Sequence, residues 1–217
     1  MTETIWKMIG SGIIETLQMT VISTALAYLI GLPLGVLLVV TAKGHILQNR
    51  VFNVILATIM NILRSIPFLI LLVVLIPFTR LLTGSSIGTT ATIVPLTVGA
   101  IPIVARMVES SLKEVSSGII EAAESMGASP ASIIFRFILP EATPSLFLGA
   151  AINLATVLGY SAMAGCIGGG GLGAIALNYG YYRYQKDVLL ITVAILILIV
   201  QIFQEVGTFL AAKKRHS

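Results

Sequence analysis

Long uncharged apolar runs alternate with short polar segments along this chain. Residues 20–40 carry no charge. As a helix they reach about 32 Å, enough to cross a bilayer core. The glycines of GLPLG, Gly31 and Gly35, predict a kink or a close packing site within that run. A second apolar stretch covers 51–78 and is interrupted by Arg64-Ser65-Ile66-Pro67. Further runs cover 91–105, 144–167 and 188–210. Residues 79–90 and 168–187 read as polar breaks by their Gly, Ser, Thr and charged content. The expected fold class is therefore all-α: a polytopic membrane protein with five transmembrane helices. Residues 1–19 are mixed and carry Trp6, Lys7 and Glu15, which predicts an outer interfacial segment. No cleaved signal peptide is expected, because the first apolar run is too long and lacks a cleavage site.

Composition supports this picture. The chain is 57% hydrophobic and 10% charged, with a mean hydropathy of +1.02, whereas soluble domains carry about 25% charged residues. The net charge of +4 reflects basic residues at span ends rather than nucleic-acid binding. Lys43, Arg50, Arg106, Lys113, Arg136, Lys213, Lys214 and Arg215 fall on one side; Lys7, Arg80, Arg183 and Lys186 fall on the other. That bias places the C-terminus, with its basic tail 211–217, in the cytoplasm and the N-terminus outside. The single Cys166 excludes an internal disulfide and a Cys-rich metal site. His45 and His216 are not spaced for a metal, and no nucleophile–base set suggests catalysis. Five spans without an internal repeat suggest a homodimer, with a pathway on its two-fold axis.

The most charged third of the chain, 106–141, lies on the cytoplasmic side of this topology. Within it, Ile119, Ile120, Ala123 and Met126 share one helical face, and Glu121, Glu124 and Ser125 the other. Gly127 stands where a helix C-cap needs positive φ. Ser129 supplies an N-cap oxygen and Pro130 the first helical position. Ile133, Ile134, Phe137 and Ile138 form a second apolar stripe, which Pro140 stops or kinks. Such a specified helix–bend–helix fits a docking element for a cytoplasmic partner; the alternative is an interfacial helix lying on lipid.

Glu121-Ala122-Ala123, Gly127 and Leu139-Pro140, at their spacing in residues 121–140, resemble the EAA loop of ATP-binding-cassette importer permeases of the type I fold. Phe137 stands where that family has Ile. The segments RSIPFLILLVVLIPFTR, IVPLTVGAIPIVARMVE and GYSAMAGCIGGGGLG are similar to the methionine-uptake subgroup. The resemblance implies a permease domain over 20–210 that imports methionine in its D- and L-forms. It implies Glu121, Ala122, Ala123, Gly127, Ser129, Leu139 and Pro140 as ATPase-coupling residues. It further implies a second copy of the chain, two ATPase subunits that bind ATP and Mg, and an extracytoplasmic substrate-binding lipoprotein, in a bacterial cell membrane. The chain itself has no P-loop: GGGGLG lacks the following Lys and lies on the outer side.

Pathway candidates come from polar groups in apolar surroundings. Arg64 is costly within a span. It fits a pathway residue or a latch to Glu109 or Glu141; the alternative is a snorkelling side chain. Ser65 and Pro67 open the helix locally. Tyr160, Ser161 and Met163 sit among small residues that allow close helix approach, and ordinary packing is the alternative there. Another cargo on the same fold, a secondary transporter and a passive channel remain open; the absence of Asp or His within the spans disfavours proton coupling.

Overall fold

The computed structural model describes residues 3–215, and the described secondary structure is helical throughout. α1 (Glu3–Val40) is one helix of 38 residues, about 57 Å long. The separate segment expected over 1–19 is, from Glu3 onward, the beginning of this same helix. Nothing in 3–19 breaks it: Lys7 pairs with Glu3 across one turn at 2.7 Å, and the polar Glu15 and Thr16 find partners elsewhere in the fold. The basic tail is likewise helical as far as Arg215 within α11 (Lys186–Arg215); His216 and Ser217 lie outside the described residues.

Four described helices are long and apolar enough to span a membrane: α1, α5 (Thr89–Lys113), α9 (Thr143–Ala164, continued by a 3-10 turn to Ile167) and α11. The expected span at 51–78 takes a different form. α2 (Arg50–Ser65) and α3 (Phe68–Val74) meet at 99°, so they make a fifth span only as a bent pair. The bend follows from Pro67, which drives the preceding residue out of helical geometry; Ile66 has φ −78° and ψ 121°. α4 (Ile76–Thr83) makes helix of residues expected partly in a loop, and Gly84 ends it at φ 75°.

α1 and α5 form the central contact of the bundle, and α9 packs on both, with α11 against α9. GLPLG serves close packing. A Cβ added at Gly31 would meet Val104, and one at Gly35 would meet Val108 and the Ala105 carbonyl, each below 3.0 Å. Glycines four apart on α1 thus form a groove for valines four apart on α5, the ridge-and-groove fit that small residues permit in lipid. Leu96, Ala100, Val104, Val108 and Leu112 continue the core along α5, and it extends without a break to Ala123, Ile133 and Ile138. The segment after α5 is therefore packed onto the bundle. Outward-facing Leu190, Ile197, Leu198, Ile202 and Phe209 of α11 suit a lipid environment, where apolar side chains need no cover.

Candidate functional site

The segment after α5 is built by local rules. α5 carries Arg106 and Glu109 as far as Lys113 in one helix, so the first residues of the expected loop 106–141 are helical. α6 (Ser117–Ser125) starts at Ser116, whose Oγ accepts from Gly118 N at 3.3 Å. It ends in a Schellman turn: Ala128 N donates to Ala123 O at 3.1 Å and Gly127 N to Glu124 O at 2.9 Å. That turn requires a left-handed residue, and Gly127 has φ 73°. Ser129 then caps α7 (Pro130–Ser132), its Oγ accepting from Ser132 N at 3.3 Å, with Pro130 at the first position. The chain continues through a π-helical turn, Ile133–Ile138, into α8 (Leu139–Glu141). The π turn was not expected. Its longer repeat sets residues five apart on one face, and Ile133 and Ile138 are both 1% exposed. Pro140 does not stop the helix; the break comes at Ala142, before α9.

Exposed positions along this segment are Glu121, Ala122 and Glu124 on α6, Met126 at its end and Phe135 in the π turn, the last two 71% and 70% exposed. Met126 had been expected on the apolar face with Ala123. It is the C-cap of α6, so it leaves the helical repeat and points outward. Phe135 was missed; the signal lay in an aromatic residue between the two buried positions of the stripe. Leu139 is half-buried and packs on the core, while Pro140 is exposed.

The loop at 41–49 also packs here through Ile46. His45 is half-buried, and its Nδ1 has no hydrogen-bond partner. Burial lowers its pKa, Lys113 lowers it further, and Glu124 partly opposes both. A base depressed in the folded state stabilises above its unfolded pKa, and the contribution is lost as pH falls from 6.5 through the lower folded value. Protection of the amides over 117–128, taken relative to the intrinsic exchange rate at each pH, should therefore fall on acidification through that window, and His45→Gln should flatten the dependence. Equal pH profiles in both proteins would remove His45 from this contact.

At the α2–α5 junction, Glu109 accepts from Arg106 Nη1 and from Lys113 Nζ at 2.7 Å. Arg106 Nη2 donates to Ala57 O at 3.0 Å and Asn61 Oδ1 at 2.8 Å. The latch from Arg64 to Glu109 is not formed, because Arg106 and Lys113 occupy that carboxylate. Arg64 is exposed on the last turn of α2 and makes no side-chain bond among the described residues, to Glu141 or to any other. It shares a crevice with Ile66, Leu71, Gly99 and Tyr160. Phe68, missed in the sequence, stacks on Tyr160 with ring centroids 4.3 Å apart and planes at 1°.

The structure thus brings Arg64 and Tyr160 together beside the Pro67 bend. Ser65 Oγ turns back to Asn61 O at 2.8 Å, and Ser161 is buried with its Oγ on Leu158 O at 2.7 Å. Met163 stands apart, 45% exposed on the last turn of α9. With Leu148 and Ile152 it lies along an uncovered side of that helix.

The model of the family described as binding-protein-dependent transport system inner membrane component matches residues 31–206. A Vibrio cholerae protein named probable D-methionine transport system permease protein MetI is 50% identical over 202 residues, 93% of this chain and 90% of that one. Its Pasteurella multocida namesake is 49% identical over 216 residues and 100% of each chain. Among solved structures, a chain from the MetNI methionine ABC transporter in inward-facing conformations superposes with a TM-score of 0.97 at 47% identity, over 99% of both chains. A chain of an amino acid ABC transporter with histidines, 22% identical, shares the fold with a TM-score of 0.77, over 95% of this chain and 94% of that one.

Proposed function

The chain belongs to the binding-protein-dependent transport system inner membrane components, and we propose that it is the permease subunit of an ATP-driven methionine importer. The methionine assignment rests on full-length similarity to the D-methionine permeases and the MetNI chain. Two copies form the translocation pathway. Hydrolysis of ATP, with Mg, takes place on partner ATPase subunits, and a substrate-binding lipoprotein delivers cargo on the outer face of a bacterial inner or plasma membrane.

One observation carries the coupling reading. The helix–bend–helix of 117–141 exposes one face and buries the other in a core continuous with α5 and α9. A partner that grips Glu121, Met126 and Phe135 therefore moves the spans, because Ala123, Ile133 and Ile138 leave no slack. Gly127 and Ser129 set the angle of the grip, Ala122 leaves room beside Glu121, and Leu139-Pro140 lead into α9. The ATPase biases the pathway only through contacts that differ between its ATP-bound and empty states. Arg64, Ser65, Pro67, Tyr160, Ser161 and Met163 belong to the moving pathway wall or its immediate support.

The test is uptake of labelled methionine into proteoliposomes holding the permease, its ATPase and its binding protein. Uptake that requires ATP and is competed by unlabelled methionine supports the assignment. ATP-dependent uptake of a different amino acid overturns the cargo, and uptake without the ATPase overturns the coupling. The proposed topology places the N-terminus outside and the C-terminus in the cytoplasm. A cysteine replacing Ser217, in a Cys166→Ala background, should resist an impermeant thiol reagent in intact cells and react after permeabilisation. Labelling from outside would reverse the orientation.

A further inference from the structure

Glu15 is the only charged side chain between Lys7 and Lys43. A carboxylate on so apolar a helix needs a partner, and here the partner is backbone. Gly171 N donates to Glu15 Oε2 at 2.7 Å, and Leu172 N donates to Thr16 Oγ1 at 2.8 Å. Consecutive side chains of α1 thus take the first two N–H groups of α10 (Gly171–Ile175).

The segment they hold is a joint of bare backbone. Gly170 and Gly171 have φ 83° and 72°, and a Cβ at Gly171 would reach Thr16 Oγ1 at 2.7 Å. A Cβ at Gly165 would collide with Ala174 N, and one at Gly173 with Ala162 O. The end of α9 and the start of α10 therefore lie backbone against backbone. The turn between them is also tied to α5: Gly88 N donates to Gly168 O at 2.9 Å and Thr92 Oγ1 to Gly169 O at 3.4 Å. Met163 lies between the two glycine contacts, on the turn of α9 that this joint holds.

We propose that Glu15 and Thr16 are positioning residues for transport, holding the glycine joint so that α1 and the Met163 end of α9 move as one body. The proposal rests on the permease reading above. Without the clasp, α10 keeps the apolar packing of Leu172 and Ile175 on α1 but loses the bonds that fix its first turn, and motion delivered from the ATPase end of the bundle no longer sets the position of Met163. Hydrolysis continues while uptake falls.

The experiment uses the complete complex in proteoliposomes and compares Glu15→Ala, Glu15→Gln and Thr16→Val. Methionine taken up per ATP hydrolysed should fall about tenfold in Glu15→Ala, the scale of one buried donor left unpaired. Glu15→Gln keeps an acceptor oxygen and should stay within about twofold of the parent. Copurification of the ATPase should not change in any of them. Met163→Cys in a Cys166→Ala background, which removes the exposed native thiol, reports the joint directly: its crosslink to the second copy should respond to a trapped ATP state with Glu15 intact and with Glu15→Gln, but not with Glu15→Ala. Should Glu15→Ala fail to assemble, Thr16→Val, which removes the second bond alone, must show the same loss of coupling. Parental coupling in Glu15→Ala, or equal failure of Glu15→Ala and Glu15→Gln, overturns the proposal. Failure of the parent complex to take up methionine with ATP counts instead against the transport reading, so the two are told apart.

Discussion

Gly127→Val should leave the protein folded and in the membrane yet reduce ATP-driven uptake by about 5–30-fold, the population change that 1–2 kcal/mol produces. Residue 127 sits at φ 73°, and a branched side chain in that region costs about 1–2 kcal/mol. Apart from its two chain neighbours, nothing lies within 4 Å of where its Cβ would stand, so the cost is local backbone strain and not a clash with the rest of the fold. The strain is relieved by opening the Schellman turn, which frees Ala128 N from Ala123 O and changes the angle between α6 and the following helix. Both halves are anchored separately, by Ala123 on one side and by Ile133 and Ile138 on the other. The bundle therefore survives while the exposed face loses its shape. Gly127→Asn is the control, since Asn tolerates the left-handed region, and should retain most of the uptake. The check is copurification of the ATPase together with uptake and ATP turnover. A Val variant that binds and transports like the parent would show that the bend angle does not matter for docking.

What could be read in the sequence was local. Gly127, Ser129 and Pro130 announce a turn because a C′ glycine and an N-cap serine act within a few residues of themselves. Pro67 announces a break for the same reason, although its 99° angle does not follow from one residue. The apolar runs gave up their helices because lipid leaves the backbone no other means of satisfaction. Contacts between distant residues were not legible. Glu15 meets Gly171 across 156 positions, and nothing near either residue marks the other. Arg106 meets Asn61 across 45 positions, so the expectation that Arg64 would find Glu109 lacked its competitor. Met126 turned outward because a C-cap residue leaves the helical repeat that assigns faces. Phe68 was hidden as one apolar residue in an apolar run; only its stacking on Tyr160 distinguishes it.

The competition for Glu109 leads to the second large effect: Glu109→Ala should destabilise the α2–α5 junction by about 2–3 kcal/mol, below the roughly 3–5 kcal/mol of a fully buried ion pair because this one is partly exposed. The Glu109 side chain is 11% exposed and that of Arg106 20%, so the guanidinium left behind has little water to replace its counter-ion. Lys113 is 56% exposed and contributes less, because water can solvate it. If the loss comes from a stranded charge, removing that charge should restore stability. Glu109→Ala combined with Arg106→Met should therefore recover most of the melting temperature lost by Glu109→Ala alone, measured on the detergent-solubilised protein. A double variant no more stable than the single one would place the stabilisation in the bonds from Arg106 to Ala57 and Asn61 instead. Uptake should separate the two roles. Arg106 grips Asn61 one turn before Arg64, and Ser65 Oγ bonds the Asn61 carbonyl. The grip therefore sets where α2 ends, and with it the crevice between Arg64 and Tyr160. A double variant that regains stability but not uptake is the expected result, because it has kept the bundle and lost the anchor of the bend.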